Sequence, residues 1–184
     1  MATATLLTAF RFEVKLVRSP DIVAGRQALA GADAGYSPAA GPDRLGVNGA
    51  FQDCTGLEIE MDVQEYVEGG RNNGTVRRVG RAKFAPLVLK RGMFFGTDHE
   101  GQADPRLWHW LQRIVNGERP VPRFDGIVTL MAADGSPRAT WMFDRGLPSK
   151  IRGPELNAKT GEVAIEELTV AHEGLRLLPT EAPL

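Results

Sequence analysis

The sequence predicts a mainly β fold, a two-sheet β-sandwich or barrel with one flanking α-helix and one long extended β-hairpin. Several runs alternate apolar and polar residues with the period of two that is typical of half-buried strands, and only one run shows helical periodicity. Glycine and proline total 33 of 184 residues (21 plus 12), which favours many turns over long helices. No fixed-period repeat or change in composition divides the chain, so we expect a single domain over residues 1–184 with a loop insertion at about 19–49.

The overall composition is typical of a soluble globular protein and argues against several classes of function. Hydrophobic residues make up 42% of the chain and charged residues 24%, and the formal net charge is −1. Nothing in this balance points to nucleic acid or to an anionic membrane as a partner. The N-terminus lacks the basic segment of a signal peptide, and no apolar run reaches the length of a membrane span. We therefore expect a cytoplasmic protein with no membrane insertion.

The first predicted strand covers Ala9 to Arg18, where apolar residues occupy every second position from Phe10 to Leu16. From Ser19 to Gly49 this alternation is lost in a segment rich in Ala, Gly, Pro and Asp. A loop of this length inside a compact domain is uncommon, and such loops are usually functional or disordered. Two interpretations stay open: a surface insertion without fixed structure, and a segment that becomes ordered against a partner.

The stretch from Phe51 to Arg91 predicts the extended hairpin. Its first strand, Leu57–Gln64, alternates strictly, so one face should be apolar and pack on the domain's own core while the other is acidic. The acidic face contains Glu58, Glu60 and Asp62. The second strand is predicted at Ala82–Lys90, after a polar and glycine-rich tip. Because a lone hairpin is marginally stable in water, we expect a neighbour to complete it, the simplest being another copy of the chain.

The only convincing helix is predicted after Asp104, which should cap it, with Pro105 at its first position. Its apolar stripe contains Leu107, Trp110 (or Trp108), Leu111, Ile114 and Val115, and Gly117 should end it. Strands are then predicted at Asp125–Ala133 and around Trp141, joined by a turn at Asp134–Gly135. Pro148 and Pro154 should bracket a crossing segment, and a long last strand is predicted from Val163 to Leu177.

The histidines and the single cysteine form no recognisable catalytic or metal site. His99 lies in a glycine-rich loop, His109 lies beside the helical stripe, and His172 is expected on a strand with Glu173 on the opposite face. None of them has the spacing of a zinc site or of a catalytic triad. Cys54 has no arranged partner, so a small buried thiol is the simplest interpretation. We therefore expect no enzyme, no cofactor and no metal.

Several motifs taken together resemble one protein family. They are Phe51–Glu60 (FQDCTGLEIE), Glu68–Asn73 (EGGRNN), Leu87–Gly92 (LVLKRG), Trp141–Phe143 (WMF), Lys150–Pro154 (KIRGP) and Ile165–Leu175 (IEELTVAHEGL). With these motifs, nearly the whole chain resembles the inner tail-tube proteins of contractile phages, and among them the tube proteins of extracellular contractile injection systems, which are phage tail-like particles. Residues 19–49 depart from ordinary members, which pass more quickly from the first strand to the Phe51 motif.

The resemblance implies a fold similar to the type VI secretion tube protein and a structural subunit that assembles into hexameric rings. Stacked rings would form a hollow conduit for effector cargo inside a contractile sheath. The implied partners are further copies of the chain, cargo in the lumen, and sheath, hub or baseplate proteins of the same particle. Such a particle would be assembled in the cytoplasm and then remain intracellular or be released. The departure at residues 19–49 leaves open both the main tube and a specialised ring next to the baseplate hub.

Two groups of residues become candidate sites for assembly. The segment expected to reach a neighbouring subunit or ring contains Gly69, Gly70, Arg71, Asn72, Arg77 and Arg78. The face expected to line the lumen is the acidic face of the hairpin, where negative charge would discourage acidic cargo from sticking. This charge could also pair with the nearby basic residues, Arg71, Arg77, Arg78 and Arg81, of another copy or ring. The alternatives are a secreted tube or adaptor protein of the type VI kind, or a small β-sandwich binding protein or enzyme.

Overall fold

A computed structural model of the chain describes residues 11–19, 45, 51–67, 69, 74–94, 102–159 and 161–179. These residues form nine β-strands and one α-helix, which confirms the mainly β class with a single helix. In chain order the elements are β1 Phe12–Arg18, β2 Asp53–Thr55, β3 Ile59–Tyr66, β4 Val76–Phe84, β5 Leu87–Gly92, α1 Arg106–Val115, β6 Phe124–Met131, β7 Pro137–Arg152, β8 Ile165–Ala171 and β9 Gly174–Leu178.

The strands of the described residues form two antiparallel sheets. The larger sheet has seven strands in the order β1-β6-β7-β8-β5-β2, with β9 also paired to β7. Strands β3 and β4 form a second sheet by themselves. In the part of the chain that the structure describes, neither sheet closes into a barrel. The predicted sandwich or barrel is therefore an open arrangement with a separate hairpin.

Strand β7 joins the two halves of the larger sheet. Its first part pairs with β6 and β9, and its last part, from Leu147, pairs with β8. At the junction Arg145 has a φ of 54°, and a Cβ atom on Gly146 would lie 2.7 Å from the carbonyl oxygen of Phe124. Only glycine allows so close a backbone approach. The prediction of one continuous strand from Val163 to Leu177 is wrong, because β8 and β9 separate where their partner β7 turns.

A buried carboxylate fixes this corner of the sheet. Oδ1 of Asp125 accepts hydrogen bonds from Oγ of Ser19 at 2.6 Å and from the backbone N–H of Arg145 at 2.8 Å. On the outside, Glu173 accepts hydrogen bonds from the guanidinium groups of Arg123 (2.8 Å) and Arg145 (2.9 Å). Because Asp125 is buried, removing its carboxylate would leave buried donors without an acceptor.

One core cluster is shared by both halves of the larger sheet and by α1. Its most deeply buried members are Val14, Leu16, Leu87, Leu89, Leu107, Trp110, Phe143, Leu168 and Val170. Burial alternates along β1, β5 and β8, as the period of two in the sequence predicts. The ring of Phe143 fills the space above Gly126 on the neighbouring strand, where a Cβ atom would lie 1.9 Å from Cε1 of that ring.

Helix α1 ends as the sequence predicts but begins one residue later than expected. Pro105 is its N-cap and not its first residue, because the carbonyl of Pro105 accepts the N–H of His109. Asp104 precedes this cap, and its Oδ1 accepts the backbone N–H of Arg106 at 3.1 Å. Gly117 ends the helix with a φ of 86°, a left-handed conformation that glycine adopts without cost. Of the two tryptophans, Trp110 is the buried one, and its Nε1–H donates to the carbonyl of Pro122.

Two predicted strand boundaries are wrong. The strand expected at Ala82–Lys90 is divided, because β4 ends at Phe84 and β5 begins at Leu87. Pro86 lies between them and has no N–H with which to continue a ladder. Pro148, expected to bound a crossing segment, lies inside β7, where the register with β8 shifts between Pro148 and Lys150.

Candidate assembly site: the β3–β4 hairpin

The β3–β4 hairpin stands apart from the larger sheet. In the described residues its strands pair only with each other, and nearly every side chain on them is exposed. At its base, the backbone N–H of Ala85 donates to the carbonyl of Glu58, and the side chains of Leu57 and Phe84 pack against the core. Strand pairing therefore holds the hairpin together, while its two ends attach it to the domain.

A β-bulge on β4 changes the register of the hairpin while keeping apolar side chains on one face and polar side chains on the other. The register shifts between Met61 and Val63, so that Gly80 and Arg81 together stand opposite Asp62. A Cβ atom on Gly80 would lie 2.9 Å from the carbonyl oxygen of Asp62, which explains the glycine at this place. Beyond the bulge, Val63 pairs with Val79, and apolar side chains continue on the same face.

The predicted acidic face is a face of mixed charge. Glu60 and Asp62 share one face by the alternation of β3, while Glu58 precedes the strand. Lys83 of β4 stands on the same face, and its Nζ lies 2.6 Å from Oδ1 of Asp62. The hydrogen bond to Asp62 raises the pKa of Lys83 above its usual value. Arg78 lies on this face too, with its guanidinium 4.9 Å from the ring centroid of Tyr66. Cross-strand cations therefore offset much of the negative charge within one hairpin.

The opposite face is apolar and uncovered, so the expectation that it packs on the domain's own core is wrong. Ile59 is 53% exposed, Met61 48%, Val63 61% and Val79 74%. The hairpin projects from the domain after Leu57, which carries these side chains beyond reach of the core. Contiguous exposed apolar faces of this kind occur at protein–protein contacts, at membrane contacts and in ligand-binding grooves.

The tip of the hairpin is only partly described. Gly69 and Gly74 are exposed, with no atom within 4 Å of a Cβ placed on either, whereas Gly70, Arg71 and Asn72 lie outside the described residues. Arg77 and Arg78, predicted as part of a bare tip, lie inside β4 and pair with Glu65 and Gln64 of β3. The ion pair of Arg77 with Glu65 is 3.3 Å long and largely exposed, so it adds little stability.

The insertion at 19–49 is described only at two of its residues. Ser19 is buried, and its N–H donates to the carbonyl of Arg123. The N–H of Leu45 donates to the carbonyl of Leu16 at 3.3 Å, and its side chain packs against the core. The remaining residues of the insertion lie outside the described residues.

A buried ion cluster under α1 was not predicted from the sequence. Arg91 donates from Nε to Glu166 (2.5 Å) and from Nη1 to Asp104 (3.2 Å), and Nε1–H of Trp108 donates to the other oxygen of Glu166 (2.9 Å). Burial alone would raise the pKa of Asp104, but hydrogen bonds from Arg106 and the charges of Arg91 and Arg106 outweigh it and lower that pKa to about 2. The cluster ties α1 to β5 and β8 and so has a structural role.

The described residues contain no site for covalent or metal chemistry. No three His, Cys, Asp or Glu side chains among them are grouped to hold a metal ion. Burial, together with the charge of Asp53, raises the pKa of Cys54 to about 11, which keeps the thiol protonated and unreactive. His109 is exposed on α1, and His99 lies outside the described residues. Within those residues, no helix is long and apolar enough to cross a membrane.

The mainly β fold and the hairpin with an uncovered apolar face fit a structural subunit. Comparison with known families agrees. The family described as T4-like virus tail tube protein gp19 matches residues 8–176, and the chain belongs to it. The members of this family are structural tube proteins and not enzymes, which confirms both the resemblance and the absence of an enzymatic role. No curated protein sequence matches the chain significantly.

Solved structures of contractile particles share the fold over nearly the whole chain. A chain of the anti-feeding prophage baseplate has a TM-score of 0.71 at 20% identity and covers 98% of this chain and 100% of its own. A chain of the PVC extracellular contractile injection system, from its sheath–tube complex in the extended state, has a TM-score of 0.68 at 18% identity over 97% and 100%. A chain of the anti-feeding prophage tube-terminating cap has a TM-score of 0.67 at 17% identity over 98% and 95%.

Proposed function

We propose that this chain is a subunit of the inner tube of a phage tail-like contractile injection system, and that it forms hexameric rings that stack into a hollow conduit for cargo. Membership of a tail-tube family supports the tube. The observation that carries the proposal is the β3–β4 hairpin, which presents an uncovered apolar face and unpaired strand edges in the described chain. Hydrophobic burial and strand pairing are the two contributions that a neighbouring copy would add.

The symmetry of the contact follows from its two unlike sides. A hairpin that packs on a different surface of the next copy makes a head-to-tail contact, and such contacts generate a ring where the rotation closes. The hexamer is supported by the similar chain of the anti-feeding prophage baseplate, a particle that was six-fold symmetrised. A second head-to-tail contact along the axis, through the hairpin tip with Gly69, Gly70, Arg71 and Asn72, would stack the rings.

The remaining partners belong to the same particle. Similar chains come from a baseplate, a sheath–tube complex and a tube-terminating cap, which supports contacts with sheath, hub or baseplate proteins. We assign the insertion at 19–49 to one of these contacts and place the chain either in the main tube or in the ring next to the hub. Assembly in the cytoplasm and effector cargo in the lumen complete the proposal.

The test compares two substitutions at equally exposed valines. Val79 lies on the apolar face of the hairpin and is 74% exposed, while Val115 at the end of α1 is 75% exposed. Val79→Lys would bury a charge in the proposed contact and should leave a folded monomer under conditions in which the wild-type chain forms rings or tubes in the electron microscope. Val115→Lys adds the same charge near a helix C-terminus and should assemble normally. A wild-type chain that stays monomeric at every concentration, or a Val79→Lys chain that assembles as well as the control, would contradict the proposal.

A further inference from the structure

A second exposed apolar surface lies at one end of the β5–β8 pair. The backbone N–H of Met93 donates to the carbonyl of Ala164 at 2.8 Å, which continues the pairing past the end of β5 and the start of β8. The next pair in this register is Phe94 with Val163. Phe94 is 49% exposed and Val163 is 74% exposed. This end of the sheet therefore carries two large apolar side chains in contact with water.

Both side chains belong to the outer face of the sheet, away from the core. Burial alternates along β5 and β8, and Gly92 and Ile165 belong to the outward set. Phe94 and Val163 lie two residues beyond them and so point the same way. A Cβ atom on Gly92 would lie 3.5 Å from Cγ1 of Val163, which confirms that these residues share one face. The four residues form one apolar surface, which we call the end patch.

The end patch and the hairpin lie at opposite ends of β5. The hairpin joins the domain just before Leu87, where β5 begins, and the end patch starts at Gly92, where β5 ends. An extended strand of this length separates the two residues by about 17 Å. A head-to-tail contact requires two unlike surfaces on opposite sides of the subunit, because each copy then offers one surface to each of its neighbours.

Exposed ion pairs at the rims of the two surfaces have complementary charges. On the hairpin, the pair of Glu65 and Arg77 lies on the apolar face, on the side of the tip. Beside the end patch, β7 ends at Arg152, which is paired with Glu155 and lies opposite Glu167 of β8. A contact between the two surfaces can place Arg77 beside Glu155 and Glu65 beside Arg152. Every charge would then keep a partner of opposite sign.

We propose that the end patch receives the apolar face of the hairpin from the next copy in the ring. Val63 and Val79 of one subunit then pack on Phe94 and Val163 of its neighbour, and both exposed surfaces leave water together. A second copy is the occupant because one contact covers both surfaces and pairs all four rim charges. The inference rests on the proposed ring and adds the surface of the neighbour that accepts the hairpin.

The assembly of Val163→Lys tests the end patch directly. The substitution places a charge in the proposed contact and should raise the protein concentration needed for rings by more than about tenfold. Val115→Lys, at a valine of nearly equal exposure on α1, should assemble as the wild-type chain does. If Val163→Lys assembles as well as this control while Val79→Lys stays monomeric, the end patch does not receive the hairpin and the proposed ring still stands. A wild-type chain that forms no rings contradicts the ring itself, and with it this contact.

A mixture of two variants shows whether the two surfaces bind each other. Val79→Lys keeps an intact end patch, and Val163→Lys keeps an intact hairpin, so the mixture can make one good contact but cannot extend it. With an affinity tag on one variant, native mass spectrometry should show a mixed two-subunit species in the mixture and only monomers of each variant alone. Because binding requires folded chains, this species also shows that both variants fold. Its absence from the mixture would overturn the proposal.

Reversal of the rim charges tests the orientation of the contact. Arg77→Glu and Glu155→Arg each bring like charges together across the contact, so each should weaken assembly. In the double variant the two reversed charges attract each other again, and assembly should return towards the wild-type level. The pairs within the chain, Glu65 with Arg77 and Arg152 with Glu155, stay broken in the double variant, so their loss does not explain a recovery. Assembly of the double variant no better than that of either single variant would overturn the proposed contact.

Discussion

Gly126 shows how closely single residues are fitted in the core of this protein. A Cβ atom there would lie 1.9 Å from the ring of Phe143, which is itself fully buried and cannot retreat into solvent. We expect Gly126→Ala to lower the free energy of unfolding by about 3 kcal/mol, at the upper end of the effects of overpacking. Urea denaturation of the purified subunit measures this.

The matched control is Gly161→Ala, since no atom lies within 4 Å of a Cβ placed on Gly161 and its φ is not positive. The control should unfold at the same urea concentration as the wild-type chain. Equal midpoints for Gly126→Ala and Gly161→Ala would show that Phe143 does not pack over Gly126 as described.

Asp104 links the stability of the helix attachment to pH. Its pKa is about 2 in the folded chain, against a usual value of 3.8, so the folded state favours the ionised carboxylate. That contribution is present above about pH 4 and is lost as the pH falls towards 2, and the lowering of the pKa from 3.8 to about 2 corresponds to about 2.5 kcal/mol. Asp104→Asn should therefore be less stable than the wild-type chain by about 2–4 kcal/mol at pH 7, because Arg91 also loses one of its two buried carboxylate partners.

The difference in stability between Asp104→Asn and the wild-type chain should shrink between pH 4 and pH 2, as measured by chemical denaturation at each pH. Glu155→Gln serves as the control, because Glu155 pairs with Arg152 on the surface, where its side chain is 85% exposed. It should change stability little at any pH. A difference for Asp104→Asn that does not vary with pH would contradict the assignment of the ionised state to the cluster.

At the scale of the elements, the insertion is attached at both of its described residues. The backbone N–H of Leu45 donates to the carbonyl of Leu16, which lies three residues before Ser19 along an extended chain. Ser19 and Leu45 therefore lie within about 15 Å of each other. A short Gly-Ser linker can replace residues 20–44 without moving either of them. We expect this deletion to leave the fold and ring formation intact and to abolish recruitment of the rings to the complete particle.

Circular dichroism, electron microscopy of rings and co-purification with sheath, hub and baseplate proteins separate these outcomes. The control replaces residues 20–44 by a segment of the same length and composition in scrambled order, which keeps the size of the insertion but not its sequence. Rings of this control should not be recruited to the particle, as for the deletion. Unfolding of the deletion variant would show that the insertion contributes to the core, and normal recruitment would show that it contacts no other component of the particle.

The sequence predicts the elements of this fold better than their connections. The alternation in β1 and the glycine that ends α1 are local patterns, and both are confirmed. The corner of β7 depends on Gly146 fitting against the carbonyl of Phe124, a contact between residues 22 positions apart that leaves no periodic signal. The bond of Trp108 to Glu166 joins residues 58 positions apart, and nothing in either local sequence indicates it.

The same limit applies to the candidate site. The alternation of β3 places Glu60 and Asp62 on one face, since side-chain direction depends on the strand alone, whereas Glu58 precedes the strand. What each face meets depends on register and on tertiary position. Register brings Lys83 next to Asp62, and the projection of the hairpin from the domain leaves Met61 and Val63 uncovered. The assignment of the charged face to the lumen stays a prediction.

For the whole molecule, the two faces of the hairpin have different consequences for an assembly. If the apolar face is covered by the neighbouring copy, the face with Glu58, Glu60 and Asp62 is the one left to water, and in a closed ring that water fills the lumen. Replacing all three residues by Lys changes the charge of this face by six units per chain, from three negative to three positive contributions. The three new lysines would add to the positive charges of Lys83 and Arg78, so that this face of the hairpin would carry a strongly positive potential.

Tubes of the triple variant Glu58→Lys, Glu60→Lys and Asp62→Lys should therefore retain nucleic acid or acidic protein, which absorbance ratios and gel analysis of purified tubes measure. The variant also breaks the Lys83–Asp62 pair, so Lys83→Gln, which breaks the same pair while lowering the positive charge, is the matched control. Control tubes should retain no more acidic material than wild-type tubes. If this face points to bulk solvent, salt screens its field within about 8–10 Å. If it points into the lumen, opposite walls of the narrow channel attract the same material together. Retention inside the tube therefore distinguishes a lumen-facing from a solvent-facing orientation. Triple-variant tubes that bind no more than the control, or that bind acidic material only on their outer surface, would show that this face of the hairpin points away from the lumen.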